Sequence, residues 1–171
     1  MMRRTGIRRP TYEEAIAKKK AAEERRRANP KPKKEKTYEE KLKTKLWTIF
    51  SVWIRRKDAN VHGYVMTADG SWKHWKEVHC GHLFNNTERN AKLGGNELWY
   101  DERNFAPQTS NGNYFNHDDS AKKYMAWAIR KYGDDVVQEM FRLKQRKRVF
   151  TIEELEEKLR YYKEKVKALD A

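Results

Sequence analysis

Four of the five histidines fall between His62 and His82, and His79 and His82 bracket Cys80 and Gly81 at the end of a run whose pattern predicts a strand. Two imidazoles at this spacing suit half of a metal site or a general base, because imidazole nitrogen ligates divalent ions and takes up a proton near neutral pH. Histidine pairs also serve as ordinary surface or hydrogen-bonded residues, so the pattern needs a second half. Asp101-Glu102-Arg103-Asn104, followed by Asn111, Asn113, Asn116 and His117, offers oxygen and nitrogen donors. The same residues are what a polar loop contains. Cys80 is the one cysteine, which excludes an internal disulfide and a multi-cysteine zinc site, so no structural zinc is expected. Any metal is held mostly by oxygen and imidazole.

The elements that position these residues follow from local pattern. Thr11-Tyr12-Glu13-Glu14, Thr37-Tyr38-Glu39-Glu40 and Thr151 with Glu154 each place Glu three residues after Thr, the signature of a capping box. The second start leads into Leu42, Leu46, Ile49, Phe50, Trp53 and Ile54, an apolar stripe at helical spacing that predicts a core helix. From Asn60 to Tyr100 glycines punctuate short runs, Tyr64 to Thr67, Trp72 to His79 and Glu97 to Tyr100, which predict strands and turns. A polar stretch runs from Asn104 to Asp119. Tyr124, Met125, Trp127, Ala128 and Tyr132 then predict a helix stopped by Gly133, with another from Asp134 to about Arg146. In the last helix, Ile152, Leu155, Leu159, Tyr162, Val166 and Leu169 form a stripe that either covers the domain or pairs with a second chain.

With 171 residues, the chain has room for one domain and its tails. Its hydrophobic share, 37%, predicts a modest core, and its 6 Trp, 9 Tyr and 6 Phe exclude a wholly disordered chain. Lys and Arg number 39 against 25 acids, a net +14 that points to a polyanion, with nucleic acid ahead of an anionic membrane. Residues 1 to 45 hold 17 of those cations and 7 acids, hence +10 of the total. Residues 1–36 read as a basic, partly helical arm carrying Lys18, Lys19, Lys20, Arg25, Arg26 and Arg27, and residues 37–171 as the folded domain. No stretch is long and apolar enough for a membrane span, and the Arg-rich start lacks the apolar segment of a signal peptide, so a cytoplasmic protein is expected. Arg142, Lys144, Arg146, Lys147 and Arg148 cluster between the last two helices, where phosphate contact is expected. Trp72, Trp75 and Trp99 suit stacking on unpaired bases, although packing is the expected use of tryptophan in a small core.

From about Lys45 to Ala171 the order of these motifs resembles the phage NinG/Rap recombination endonucleases, of the wider HNH (ββα-metal) nuclease class. The resemblance is carried by Ile54-Arg55-Arg56-Lys57-Asp58, Gly81-His82, the Glu102-Arg103-Asn104 triplet after Leu98-Trp99-Tyr100, Tyr132-Gly133, and Thr151-Ile152-Glu153-Glu154. It implies an α+β fold, a small HNH-like core with surrounding helices, and a metal-dependent endonuclease acting on branched recombination intermediates such as Holliday junctions and D-loops. By the same resemblance His82 is the general base, Asn104 fixes the loop that carries it, and Asn113 binds Mg²⁺ or Mn²⁺. Arg103 joins the nucleic-acid contacts.

Two departures stand out. Val61 to Tyr64 and Thr109 to Gly112 occupy the places of the family's zinc-knuckle cysteines, and no strand carboxylate precedes His82, where His79 is the stand-in ligand. Two opposed cuts at a junction favour a homodimer. The rival readings are a non-catalytic DNA-binding recombination or packaging accessory protein, and an RNA-cleaving or nicking HNH enzyme.

Overall fold

The computed structural model describes residues 11–29, 35–84, 95–110 and 117–170. The chain divides into two units, Met1–Lys36 and Thr37–Ala171. In the first, helix α1 (Tyr12–Ala28) buries no residue and opens on a complete capping box between Thr11 and Glu14.

The second unit is built on helix α2 (Tyr38–Arg56). Its capping box is also complete: Glu40 N donates to Thr37 Oγ1 at 3.2 Å and Thr37 N to Glu40 Oε2 at 2.8 Å. One face buries Leu42, Leu46, Phe50 and Ile54, each burial stabilising the fold by about 1.5 to 3 kcal/mol. Next come two antiparallel pairs. Strands β1 (Tyr64–Met66) and β2 (Trp72–His74) pair in the register Tyr64 to His74, Val65 to Lys73 and Met66 to Trp72. Strands β3 (His79–His82) and β4 (Phe105–Gln108) pair His79 to Gln108, Cys80 to Pro107, Gly81 to Ala106 and His82 to Phe105. Helices α3 (His117–Tyr132) and α4 (Asp134–Gln145) meet at Gly133, whose φ of 89° suits a residue without a Cβ. Helix α5 (Ile152–Ala168) starts from the third capping box, Thr151 with Glu154. The described residues thus form an α+β fold of five α-helices and two small sheets.

Phe50 is the centre of the main core. Its ring lies 4.9 Å from Phe105, 5.0 Å from Tyr162 and 5.7 Å from Tyr100, all edge-on, the arrangement that ring quadrupoles favour. Leu155 and Tyr162 of α5 close this core over α2. The apolar stripe of the last helix is therefore taken up within the chain, and only Ile152 at its start, 41% exposed, stands clear. A second core joins Phe84 and Leu98 to Ala128, Val137 and Met140 of α3 and α4.

Three expectations change. Glu97 to Tyr100 is a turn: the Asn96 side chain accepts from Leu98 N at 3.0 Å, a local bond that competes with a strand ladder, while Leu98 and Tyr100 drop into the cores. The run from Trp72 to His79 breaks at a 3-10 turn, Trp75–Glu77, capped by the His74 ring. The supposed polar stretch after Asn104 begins with β4, whose four residues are all buried. Among the described residues no helix is long and apolar enough to cross a membrane.

Candidate functional site

His82 ends β3, half-buried, with its ring 6.4 Å from that of its cross-strand partner Phe105. The chain then turns through Leu83 and Phe84, and Asn104 holds that turn. Fully buried, Asn104 accepts from Phe84 N through Oδ1 at 2.8 Å and donates from Nδ2 to Phe84 O at 3.2 Å. Its carbonyl accepts from Leu83 N at 2.8 Å. One asparagine thus reproduces a strand-like pair of bonds across 20 residues of sequence. Helix α3 locks the same place from outside, since the Tyr124 hydroxyl lies 3.2 Å from Gly81 O and 3.3 Å from Asn104 O. Burial drives the Tyr124 phenol well above its ordinary pKa, so it stays protonated as a donor.

The faces of the β3–β4 pair decide which histidines meet. Cys80 and Phe105 lie against α2, and burial pushes the Cys80 thiol up to about 12, which favours its protonated form. Ala106 lies against Tyr124 on the other side, where the Gln108 side chain fills the space over Gly81. Alternation along a strand then puts His82 on the α2 side with Phe105 and His79 on the α3 side with Gln108. His79 Nε2 is 2.9 Å from Ser110 Oγ. Alternation thus sets the two imidazoles on opposite sides of the β3–β4 pair, since a spacing of three that suits a helix face is odd in a strand. Among the described residues no three of His, Cys, Asp and Glu come together to hold a metal ion. Asn111, Asn113 and Asn116 lie outside the described residues.

Sequence reading missed Asp69. It sits in the turn between β1 and β2 and accepts from Thr67 Oγ1, from Ser71 N at 3.1 Å and from Thr109 Oγ1 at 2.9 Å. Burial raises its carboxyl pKa, but the hydroxyl and amide donors outweigh that and hold it below the usual value. Asp69 thereby ties the first hairpin to the residue that follows β4. Thr-Ala-Asp-Gly-Ser is a legible turn, but its tie to Thr109 is not local.

The expected DNA contacts fare unequally. Arg103 is bound by its own neighbour: Nη2 is 2.7 Å from Asp101 Oδ2, Nε donates to the same carboxylate, and Glu139 lies at 3.5 Å. The Asp101 bond raises the guanidinium pKa further, and this arginine is committed to holding the turn before Asn104. Arg146 is 3.7 Å from Glu97, and Arg148 pairs with Glu154 and lies over Phe150. Lys144 is half-buried over the Phe84 ring. Arg142 and Lys147 are exposed. Lys18, Lys19, Lys20, Arg25, Arg26 and Arg27 are all exposed on α1, Arg27 within 2.9 Å of Glu23.

Residues 2–171, almost the whole chain, match the family described as Bacteriophage Lambda NinG protein. This chain belongs to the NinG family. NinG membership makes it a recombination-related phage protein. Comparison with curated proteins and with solved structures finds no match to this NinG chain.

Proposed function

We propose that this NinG protein is a structure-specific endonuclease that hydrolyses phosphodiesters in branched DNA, with His82 as general base and Mg²⁺ or Mn²⁺ required for cleavage. The observation that supports it is the Asn104 clasp, which fixes the two residues after His82 within a β–β–α order. A base must be held within reach of the proton it removes, and a buried double hydrogen bond supplies that rigidity. In the proposed step the His82 imidazole takes a proton from water, the oxygen bonds to phosphorus, and the leaving oxygen departs with the electron pair of the broken P–O bond. A divalent cation, with Asn113 as a proposed ligand, would neutralise charge on the phosphate. Two opposed cuts would require two copies, and the interface would lie elsewhere than on the α5 stripe.

The test is cleavage of a four-way junction, a linear duplex and an RNA hairpin with Mg²⁺ and with Mn²⁺. Junction nicking by the wild type, lost in His82→Ala with junction affinity kept, is the expected result. Binding without cutting in either metal would reject the nuclease. It would favour the second reading, a non-catalytic accessory protein on the same fold, which draws support from the opposite orientation of His79 and His82.

A further inference from the structure

The first hairpin shows an apolar face that no described element covers. Tyr64, Met66 and Trp72 are 46, 47 and 55% exposed, whereas Val65 between them is buried. Met66 pairs with Trp72 and Tyr64 with His74, so strand alternation puts all four side chains on one side. The rings continue in a row: Tyr64 stands edge-on to His74 at 5.8 Å, and His74 lies 6.0 Å from Trp75 at a tilt of 32°. Gly63, with φ of +79°, makes room for this row, because a Cβ there would press on the His74 and Trp75 rings.

At the Trp75 end the apolar face runs into positive charge. Arg56, Arg55 and Lys76 lie 4.9, 5.5 and 5.6 Å from the Trp75 ring centre. Asp170 takes part of the Arg56 charge at 2.6 Å, and Glu77 is the one acid of the adjoining 3-10 turn. Exposed flat rings beside cations are complementary to a strand whose bases are unstacked and whose phosphates are close by. A fully paired duplex keeps its base faces stacked on one another and has little use for Trp72 or Tyr64.

We propose that the Tyr64–Met66–Trp72 face is a stacking platform for unpaired bases, with Arg56 and Lys76 receiving the adjoining phosphates, while Arg55, donating to Trp75 O and Val78 O, holds the Trp75 turn in place. The platform deepens the branched-DNA reading by naming the feature recognised: bases exposed where strands part. Its test uses the full chain in EDTA, so that binding is read without cutting. The probes are a four-way junction with a short unpaired thymine run at its centre and the same junction fully paired. Trp72→Ala and Tyr64→Ala should each lose about tenfold in affinity for the first probe and less than twofold for the second. Trp72→Phe, which keeps a ring, should stay near wild type. Unchanged binding, or equal loss on both probes, would overturn the platform. Should circular dichroism show Trp72→Ala unfolded, Tyr64→Ala at the edge of the hairpin decides alone. A protein that never cuts yet shows the selective loss keeps the platform and loses the nuclease; one that cuts without that loss does the reverse.

Discussion

Replacing Asn104 with alanine removes both bonds to Phe84 at once. The Phe84 N–H and C=O are then left without these partners inside the fold, where Phe84 is 7% exposed and Asn104 has no exposure. At about 1 to 3 kcal/mol for each of the two buried groups left unpaired, the loss is about 2 to 6 kcal/mol, part of it recovered if water enters. Against a stability of about 5 to 15 kcal/mol this is a large share, and the melting temperature should fall by roughly 10 to 20 °C. Urea unfolding followed by tryptophan fluorescence measures the total. Amide exchange locates it: the Phe84 amide should lose protection more than amides in α2 or α5. Asn104→Asp keeps the acceptor but loses the donor to Phe84 O and buries a charge, so it should be no milder than alanine. An unchanged urea midpoint, or a loss of protection spread evenly through the domain, would refute the clasp as the holder of the turn after His82.

Two further outcomes are expected. Deleting residues 1–36 should weaken binding to every DNA form and flatten its salt dependence, because the deleted cations no longer release counterions, while shape preference is kept; equal affinity at several salt concentrations would exclude the arm as a contact. Asp69 has a depressed folded-state pKa, so its stabilisation is complete above the unfolded carboxyl value near 3.9 and fades as pH falls through the folded value. Asp69→Asn should therefore lower stability at pH 7 and reduce its change between pH 5 and acid unfolding; an identical acid profile would remove Asp69 from the account.

Local signals carried most of what the sequence disclosed. All three capping boxes form, because Thr and Glu three residues apart need nothing beyond their own turn. Leu42, Leu46, Phe50 and Ile54 are buried because helical periodicity alone defines their shared face. What stayed hidden depends on pairing. Strand β4 contains Pro107 and Gln108 and reads as loop until Cys80 and His79 are seen opposite them. Register likewise decided the site: a count of three residues between His79 and His82 says nothing of faces until the run is known to be a strand. Arg103 looked like a cation for DNA because its neighbours Asp101 and Glu102 gave no hint of which would fold back on it. Trp72 was expected inside, yet its pairing with Met66 turns it outward.

The bonds between Asn104 and Phe84 also make the turn after His82 a product of loop closure, since they join residues 20 apart. On one flank Phe84 is clasped; on the other, Arg148 N donates to Gly95 O at 3.2 Å and Asn96 bridges to Lys147. Such closures carry an entropic cost that grows by about 0.6 kcal/mol for each doubling of loop length, and Gly95 to Arg148 closes a longer loop than Phe84 to Asn104. The alignment of His82 therefore waits on contacts between distant parts of the chain, whereas α2, built from local bonds, does not.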